Sequence, residues 1–191
     1  MNRPTTKSGP PRATPRLPGD PSPEQLIDRI IRVDHAGEFG AKRIYQGQLA
    51  VLRGTAAEGP IRHMAEQEEL HLQAFERMMT EHRVRPTALG PLWNAAGFAL
   101  GAASALLGEK AAMACTEAVE EVIDQHYSRQ IEQLGQSEPE LKRAIEGFRA
   151  DEIEHRDLAR ELGAREAPLY ELVGLATRTA SRLAIWLSER I

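Results

Sequence analysis

"EQEELH" (residues 66–71) and "RADEIEH" (149–155) carry the same spacing: a glutamate followed three residues later by a histidine, at Glu68 and His71 and again at Glu152 and His155. Residues three apart share one face of a helix, so each string sets a carboxylate beside an imidazole. One such pair says little, because a solvated helix face is written in the same residues. Two pairs in one chain pose a sharper question, which is whether they face each other across something.

The surrounding text answers in terms of helix faces. Steps of three and four trace an inward seam through four segments. The first runs Ile27, Ile31, Asp34, Glu38, Ala41, Tyr45, Gln48, Leu52, and the second Ile61, Met64, Glu68, His71, Phe75, Met78, His82. The third is Met113, Thr116, Glu120, Ile123, Tyr127, Gln130, Leu134, and the fourth Leu141, Ile145, Phe148, Glu152, His155, Ala159, Leu162. In each, polar residues interrupt the middle of an apolar stripe, whereas Glu66, Glu69, Glu121 and Glu154 fall off it towards solvent. The halves also repeat: aligning Glu38 with Glu120 superposes Tyr45 on Tyr127 and Gln48 on Gln130. The next Glu-x-x-His follows 30 residues after the first glutamate and 32 after the second. Hairpins closed at 54–60 and 135–139 bring each lone glutamate beside its Glu-x-x-His.

Four buried carboxylates without partners are too costly for one core. Two divalent cations resolve this, since their charge keeps the carboxylates ionised in the interior. One glutamate from each of two helices and Glu-x-x-His from each of the other two is the ligand pattern of ferritin-like di-iron and di-manganese bundles. Nitrogen and oxygen donors suit those metals better than a thiolate-preferring ion. The expected ligands are therefore Glu38, Glu68, His71, Glu120, Glu152 and His155. Tyr45, Tyr127 and His126 are candidates for hydrogen bonding around them, against the plainer reading of satisfied core residues. Asp34, His35 and Arg32 crowd the first helix near Glu38; His63 and His82 read as surface or edge residues.

The chain of 191 residues is long enough for one domain with a full core. Its net charge of −4 carries no basic footprint for nucleic acid. The single cysteine, Cys115, excludes an intrachain disulfide framework. Residues 1–23 hold seven of the twelve prolines and read as a flexible basic tail, without the apolar run of a signal peptide. Residues 24–191 form the domain. The expected class is all-α: a ferritin-like four-helix bundle with an internal two-fold repeat and an extra C-terminal amphipathic helix. Helices are expected near 24–53, 61–84, 92–134 (with Gly108 as the place of interruption), 139–162 and 168–189.

From Pro86 to Gly108 the chain, "PTALGPLWNAAGFALGAASALLG", has no charged residue. Pro91, Asn94 and the alanine and glycine content argue against a full span. Gly97-x-x-x-Gly101 is a small-residue face suited to close helix approach. A core helix, a helix dipping into one leaflet and a helix binding a partner remain open. The last helix, "APLYELVGLATRTASRLAIWLSERI", is amphipathic, with Trp186 near its end and Arg178, Arg182 and Arg190 available for headgroups.

"DRIIRVDHAGEFGAKRIYQGQLAVL", "RVRPTALGPLWNAAGFALGAASALLGEKAAMACTEAVEEVIDQHY", "DEIEH" and the terminal "LSERI" closely resemble the demethoxyubiquinone hydroxylase family of ubiquinone biosynthesis, over about residues 24–191. All six metal positions of that family have their counterparts: Glu38 in "DHAGE", Glu68 and His71, Glu120 in "AVEE", and Glu152 and His155. The resemblance implies a monooxygenase with two iron ions per chain. It would use dioxygen to hydroxylate the ring of a polyprenylated demethoxyubiquinol, the second oxygen atom leaving as water. It further implies a peripheral membrane protein, on the cytoplasmic face of a bacterial membrane or the matrix face of the mitochondrial inner membrane. NADH is implicated in the family as reductant, yet the sequence has no dinucleotide fingerprint. A biosynthetic complex or a homo-oligomer are the partners it implies besides the substrate. Two other classes compete: a ferritin-like iron oxidation and storage protein, and a non-catalytic membrane scaffold.

Overall fold

In the computed structural model, residues 19 and 21–191 are described; the tail assigned to residues 1–23 lies outside them except at its end. Six α-helices follow one another: α1 (Pro23–Val51), α2 (Glu58–His82), α3 (Gly90–Leu106), α4 (Glu109–Leu134), α5 (Pro139–Glu161) and α6 (Tyr170–Ser188). A single 3-10 turn, Ala164–Glu166, links the last two. Among the described residues there is no strand. The start of α1 is written locally. Ser22 accepts from the Gln25 amide at 3.0 Å while the Gln25 side chain accepts from the Ser22 amide at 2.8 Å, with Pro23 at the first helical position.

The bundle consists of α1, α2, α4 and α5, with α1 paired to α2 and α4 to α5. Its core is two apolar clusters. One gathers Ile30, Ile31, Phe75, Ile123 and Ile145, the other Leu52, Ile61, Met64, Met113 and Ala159. Every bundle helix contributes to both, so the polar middle of each seam forms a layer between them. The seams run as expected through that layer and depart from expectation at their ends. In α2 the inward residue after Phe75 is Met79 rather than Met78, and His82 is exposed. A strict alternation of three and four repeats every 3.5 residues, and a straight helix drifts ~20° per heptad against it. Leu162, expected to close the fourth seam, is 37% exposed because α5 stops one residue before it.

The segment 92–134 is two helices, broken at Gly108. Its φ of 107° and ψ of 167° are a conformation essentially reserved for glycine. α3 is not a core helix, since only Gly101, Ser104 and Ala105 are buried in it. Its small-residue face is taken by the same chain: Gly97 and Gly101 lie against α1, where an added Cβ would meet the Gly40 carbonyl oxygen at 2.9 Å or overlap the Ile44 carbonyl. Gly47 of α1 answers from the other side, beneath Phe98 and Ala102. α6 packs on α4 and touches α1 and α3. The repeat thus extends to a third helix per half, with α3 laid on α1 as α6 is laid on α4.

Outward, α3 exposes Leu92 and Leu106 with Leu107 just past its end, and α6 exposes Leu172, Leu175, Leu183 and Trp186 with Leu169 just before its start. The arginines of α6 are partly engaged: Arg178 lies 3.5 Å from Glu121 of α4, and Arg190 covers the Trp186 ring at 4.3 Å. No described helix is long and apolar enough to cross a membrane.

Candidate metal centre

All six residues expected as ligands are buried and meet in the polar layer: Glu38 from α1, Glu68 and His71 from α2, Glu120 from α4, Glu152 and His155 from α5. They form two overlapping groups. Glu38, Glu68, His71 and Glu152 offer atoms within 4.8 Å of one another, and so do Glu68, Glu120, Glu152 and His155. Glu68 and Glu152 belong to both. Glu152 spans the two imidazoles directly, with one oxygen 3.2 Å from His71 Nδ1 and the other 3.3 Å from His155 Nδ1. Glu68 and Glu152 thus stand between the two groups, with Glu38 and His71 completing one and Glu120 and His155 the other.

The polar atoms facing this space have no hydrogen-bond partner. Both oxygens of Glu68 and of Glu152, Oε2 of Glu38 and of Glu120, and Nδ1 of both histidines are orphaned and buried. Buried polar atoms in native proteins are nearly always satisfied, so this concentration is what a cation site looks like from the protein side. The outer atoms of the same residues are satisfied. Tyr45 donates its hydroxyl to Glu120 Oε1 at 2.5 Å, and Tyr127 donates to Glu38 Oε1. Each tyrosine thus crosses to the glutamate of the other half.

The histidines are held the same way. His71 Nε2 lies 3.0 Å from Asp151 Oδ2, and His155 Nε2 lies 3.0 Å from Gln67 Oε1. Both contacts are to oxygen acceptors, so Nε2 is the donor in each and Nδ1 is the ring nitrogen that faces the carboxylates. Each of these partners directly precedes the glutamate of the opposite Glu-x-x-His. Sequence reasoning missed both, because a residue one step off the seam reads as solvent-facing. The recurrence of a polar residue at that one position in both halves was the available signal. Phe148 packs on the His71 ring at a centroid distance of 4.3 Å and fixes its plane.

Without cations the layer must distribute protons among four carboxylates. Burial and repulsion from Glu152, Glu38 and one another push Glu68 and Glu120 well above the ordinary carboxylate range. Burial alone would raise Glu152 as well, but the two histidines outweigh it and hold it at about 2. Burial would lower His71, yet Glu152 and Glu38 raise it to about 11. Glu68 and Glu152, equivalent in the repeat, therefore move in opposite directions: the protons have gone where cations would relieve them. Burial, reinforced by Glu120 and Glu38 respectively, keeps Tyr45 and Tyr127 protonated as donors.

Of the remaining candidates, His126 is buried and joins Asp34 and Gln130. Gln130 Nε2 donates to Asp34 Oδ1 at 2.7 Å, and His126 Nε2 lies 3.2 Å from the same oxygen. The equivalent of this triad in the first half is Gln48 donating to the Thr116 hydroxyl at 3.3 Å and the Ala112 carbonyl at 3.0 Å. Arg32 points elsewhere, to the Arg85 carbonyl oxygen. His35 is half-buried, and burial lowers its pKa. His63 and His82 are exposed, as expected.

An apolar cavity of about 200 Å³ opens from this layer between α1, α3, α4 and α6. Glu38, Tyr127, Asp34 and His126 stand in its wall, and Gly97, Leu100, Ala184 and Ile185 line the remainder. At the wall shared by α3 and α6, the Trp93 indole N–H donates to Ser188 Oγ at 3.0 Å. Nothing in the seam pattern announced this space, because it exists only once α3 and α6 are laid across the bundle.

The chain matches the family model described as "Ubiquinone biosynthesis protein COQ7" over residues 25–188. A protein of Rhodospirillum rubrum named 3-demethoxyubiquinol 3-hydroxylase is 58% identical over 185 residues, covering 96% of this chain and 87% of its own. The human protein named NADPH-dependent 3-demethoxyubiquinone 3-hydroxylase, mitochondrial, is 51% identical over 169 residues, covering 86% and 78%. The yeast (Saccharomyces cerevisiae) protein named 5-demethoxyubiquinone hydroxylase, mitochondrial, is 42% identical over 183 residues, covering 87% and 78%. With a family match across almost the entire described chain and relatives this similar, the chain belongs to the ubiquinone biosynthesis protein COQ7 family.

Proposed function

We propose that this enzyme is a di-iron monooxygenase acting at a membrane surface on a polyprenylated demethoxyubiquinol. The hydroxylation itself, a step of ubiquinone biosynthesis, follows from the family and from the names its relatives carry. The observation that carries the metal assignment is the set of eight orphaned donor atoms converging from six buried side chains. Glu38, Glu68, His71 and Glu152 would hold one ion, and Glu68, Glu120, Glu152 and His155 the other. Two reduced iron ions held there would supply the two electrons with which, taking up two protons, one atom of dioxygen goes to water while the other is inserted into a ring C–H bond.

The protein's own part is positioning, exclusion of water and control of protons. The cavity is smaller than the ~300–1,000 Å³ typical of whole-ligand pockets, which suits a benzoquinol ring with its prenyl tail passing outward. Its apolar walls keep water from the ring, while Glu38 and the Tyr127 hydroxyl mark the end where the ring meets the metal layer. The Tyr127 and Tyr45 protons hold the terminal glutamates in one orientation. The exposed leucines of α3 and α6, on the two helices that cover the cavity, support docking on lipid, so the substrate would enter without crossing water. Storage and scaffold functions have no comparable support, since a storage site needs no apolar chamber beside its metals and a scaffold needs no metals. The human relative is named NADPH-dependent and the Rhodospirillum one is not.

The test is a single-turnover reaction in detergent with iron-loaded, reduced protein, demethoxyubiquinol and labelled dioxygen. One labelled atom in the ring product, lost in Glu152→Ala, is the expected result. Dioxygen uptake without a hydroxylated ring would reject the monooxygenase reading.

A further inference from the structure

The two halves of the metal layer match partner for partner: Tyr127 on Glu38 and Tyr45 on Glu120, one backing residue behind each histidine, one glutamine one turn beyond each tyrosine's helix face. They differ in charge at two places. Asp34 stands where the other half has Thr116, but Asp34 is engaged by Gln130 and His126 and bonds none of the six expected ligands. The other difference falls on the ligands themselves. His71 is backed by a carboxylate, Asp151, and His155 at the same 3.0 Å by a neutral amide, Gln67. Among the described residues Asp151 makes no ion pair with a lysine or arginine; its side chain, 40% exposed, pairs with His71.

We infer that Asp151 makes the two metal positions unequal, so that the position of Glu38 and His71 binds its divalent ion more tightly and fills first. The inference rests on the metal reading given above. A carboxylate accepting the Nε2 proton draws the imidazole towards its anionic form and makes Nδ1 the better donor; an amide oxygen does so far less. The inner donors are matched in kind, since each group has one glutamate and one histidine of its own and shares the same two carboxylates. Asp151 is thus a positioning residue that also sets the order of loading, and an enzyme that must differentiate two ions at one site obtains that difference from outside the ligand set.

The experiment uses the full chain, labelled with nitrogen-15 at histidine, stripped of metal and titrated with zinc ion alone as a diamagnetic probe. Ring-nitrogen signals of His71 and His155 are identified with His71→Gln and His155→Gln. In the parent chain the His71 signal should move across the first equivalent and the His155 signal across the second. Asp151→Asn, which keeps shape and removes charge, should weaken the first step roughly tenfold or more. Gln67→Glu combined with Asp151→Asn should reverse the order, and Gln67→Glu alone should bring the two steps together. Both signals moving in parallel in the parent chain, or an order unchanged in the exchanged variant, overturns the inference while leaving a metal site. Neither signal moving, in protein that remains helical, overturns the metal reading and this inference with it.

Discussion

Seen from the carboxylate layer, the molecule has two unlike sides. Towards α2 and α5 the space is filled with donors: two histidines, the two shared glutamates, and the Asp151 and Gln67 partners behind them. Towards α3 and α6 it is an apolar chamber roofed by helices that contribute no candidate ligand. The bundle core faces both ways because α1 and α4 stand between the two, with Glu38 and Tyr127 in the chamber wall. What the difference teaches is a division of labour by helix. α2 and α5 carry the histidines and the shared glutamates, α3 and α6 cover the chamber, and α1 and α4 connect the two through Glu38 and Tyr127.

That division can be broken by matched substitutions on the two sides. The largest effect should come at the surface. Leu172→Asp with Leu183→Asp on α6 should lower partition onto lipid vesicles about thirtyfold, from roughly 1 kcal/mol per half-exposed leucine. Leu70→Asp, on α2 and just as exposed, should leave partition unchanged. Equal losses in a sedimentation assay would mean that lipid contact is not confined to the covering helices.

Next comes the seam between α3 and α1. Gly101→Ala overlaps a backbone carbonyl that only a shift of the whole helix can relieve. Overpacking of about 1–3 kcal/mol should exceed the ~0.5–1 kcal/mol that alanine gains in a helix. At about 2–4 °C per kcal/mol for a chain of this size, the melting temperature should fall. Gly147→Ala in α5, with open space around it, should raise it instead. A rise for both would show that the α1–α3 contact yields easily.

The smallest effect separates the two tyrosines. Tyr45→Phe and Tyr127→Phe remove equivalent hydrogen bonds, each costing about 0.5–1.5 kcal/mol, and should lower stability alike. Only Tyr127 lines the chamber, so only Tyr127→Phe should change KM for the quinol, by a few-fold to about tenfold. Identical KM changes would place the ring elsewhere.

The donor side was legible in the sequence because a buried carboxylate on an apolar seam is chemically conspicuous. Glu38, Glu68, Glu120 and Glu152 each interrupt a run that otherwise reads as core, and the repeat set them in register. The covering side was not. α3 is too uniformly apolar to have a polar face, so nothing in its text says which side meets α1 until Gly97 and Gly101 are seen against Gly40 and Ile44. Asp151 and Gln67 escaped for the opposite reason. Their neighbours Glu66, Glu69 and Glu154 are the ordinary charged residues of a wet helix surface, and only the tertiary approach of α2 to α5 distinguishes them.

The sharing of Glu68 and Glu152 has a consequence for how the chain is assembled. Each group of four takes residues from before and after Gly108: three and one for the first group, one and three for the second. The tyrosine bonds and the histidine partners cross the same divide. Cut at Gly108, neither piece would hold a complete group: each would keep three of the four residues of one and a single residue of the other. In this sense the enzyme is an obligate heterodimer whose two subunits are joined by a single glycine.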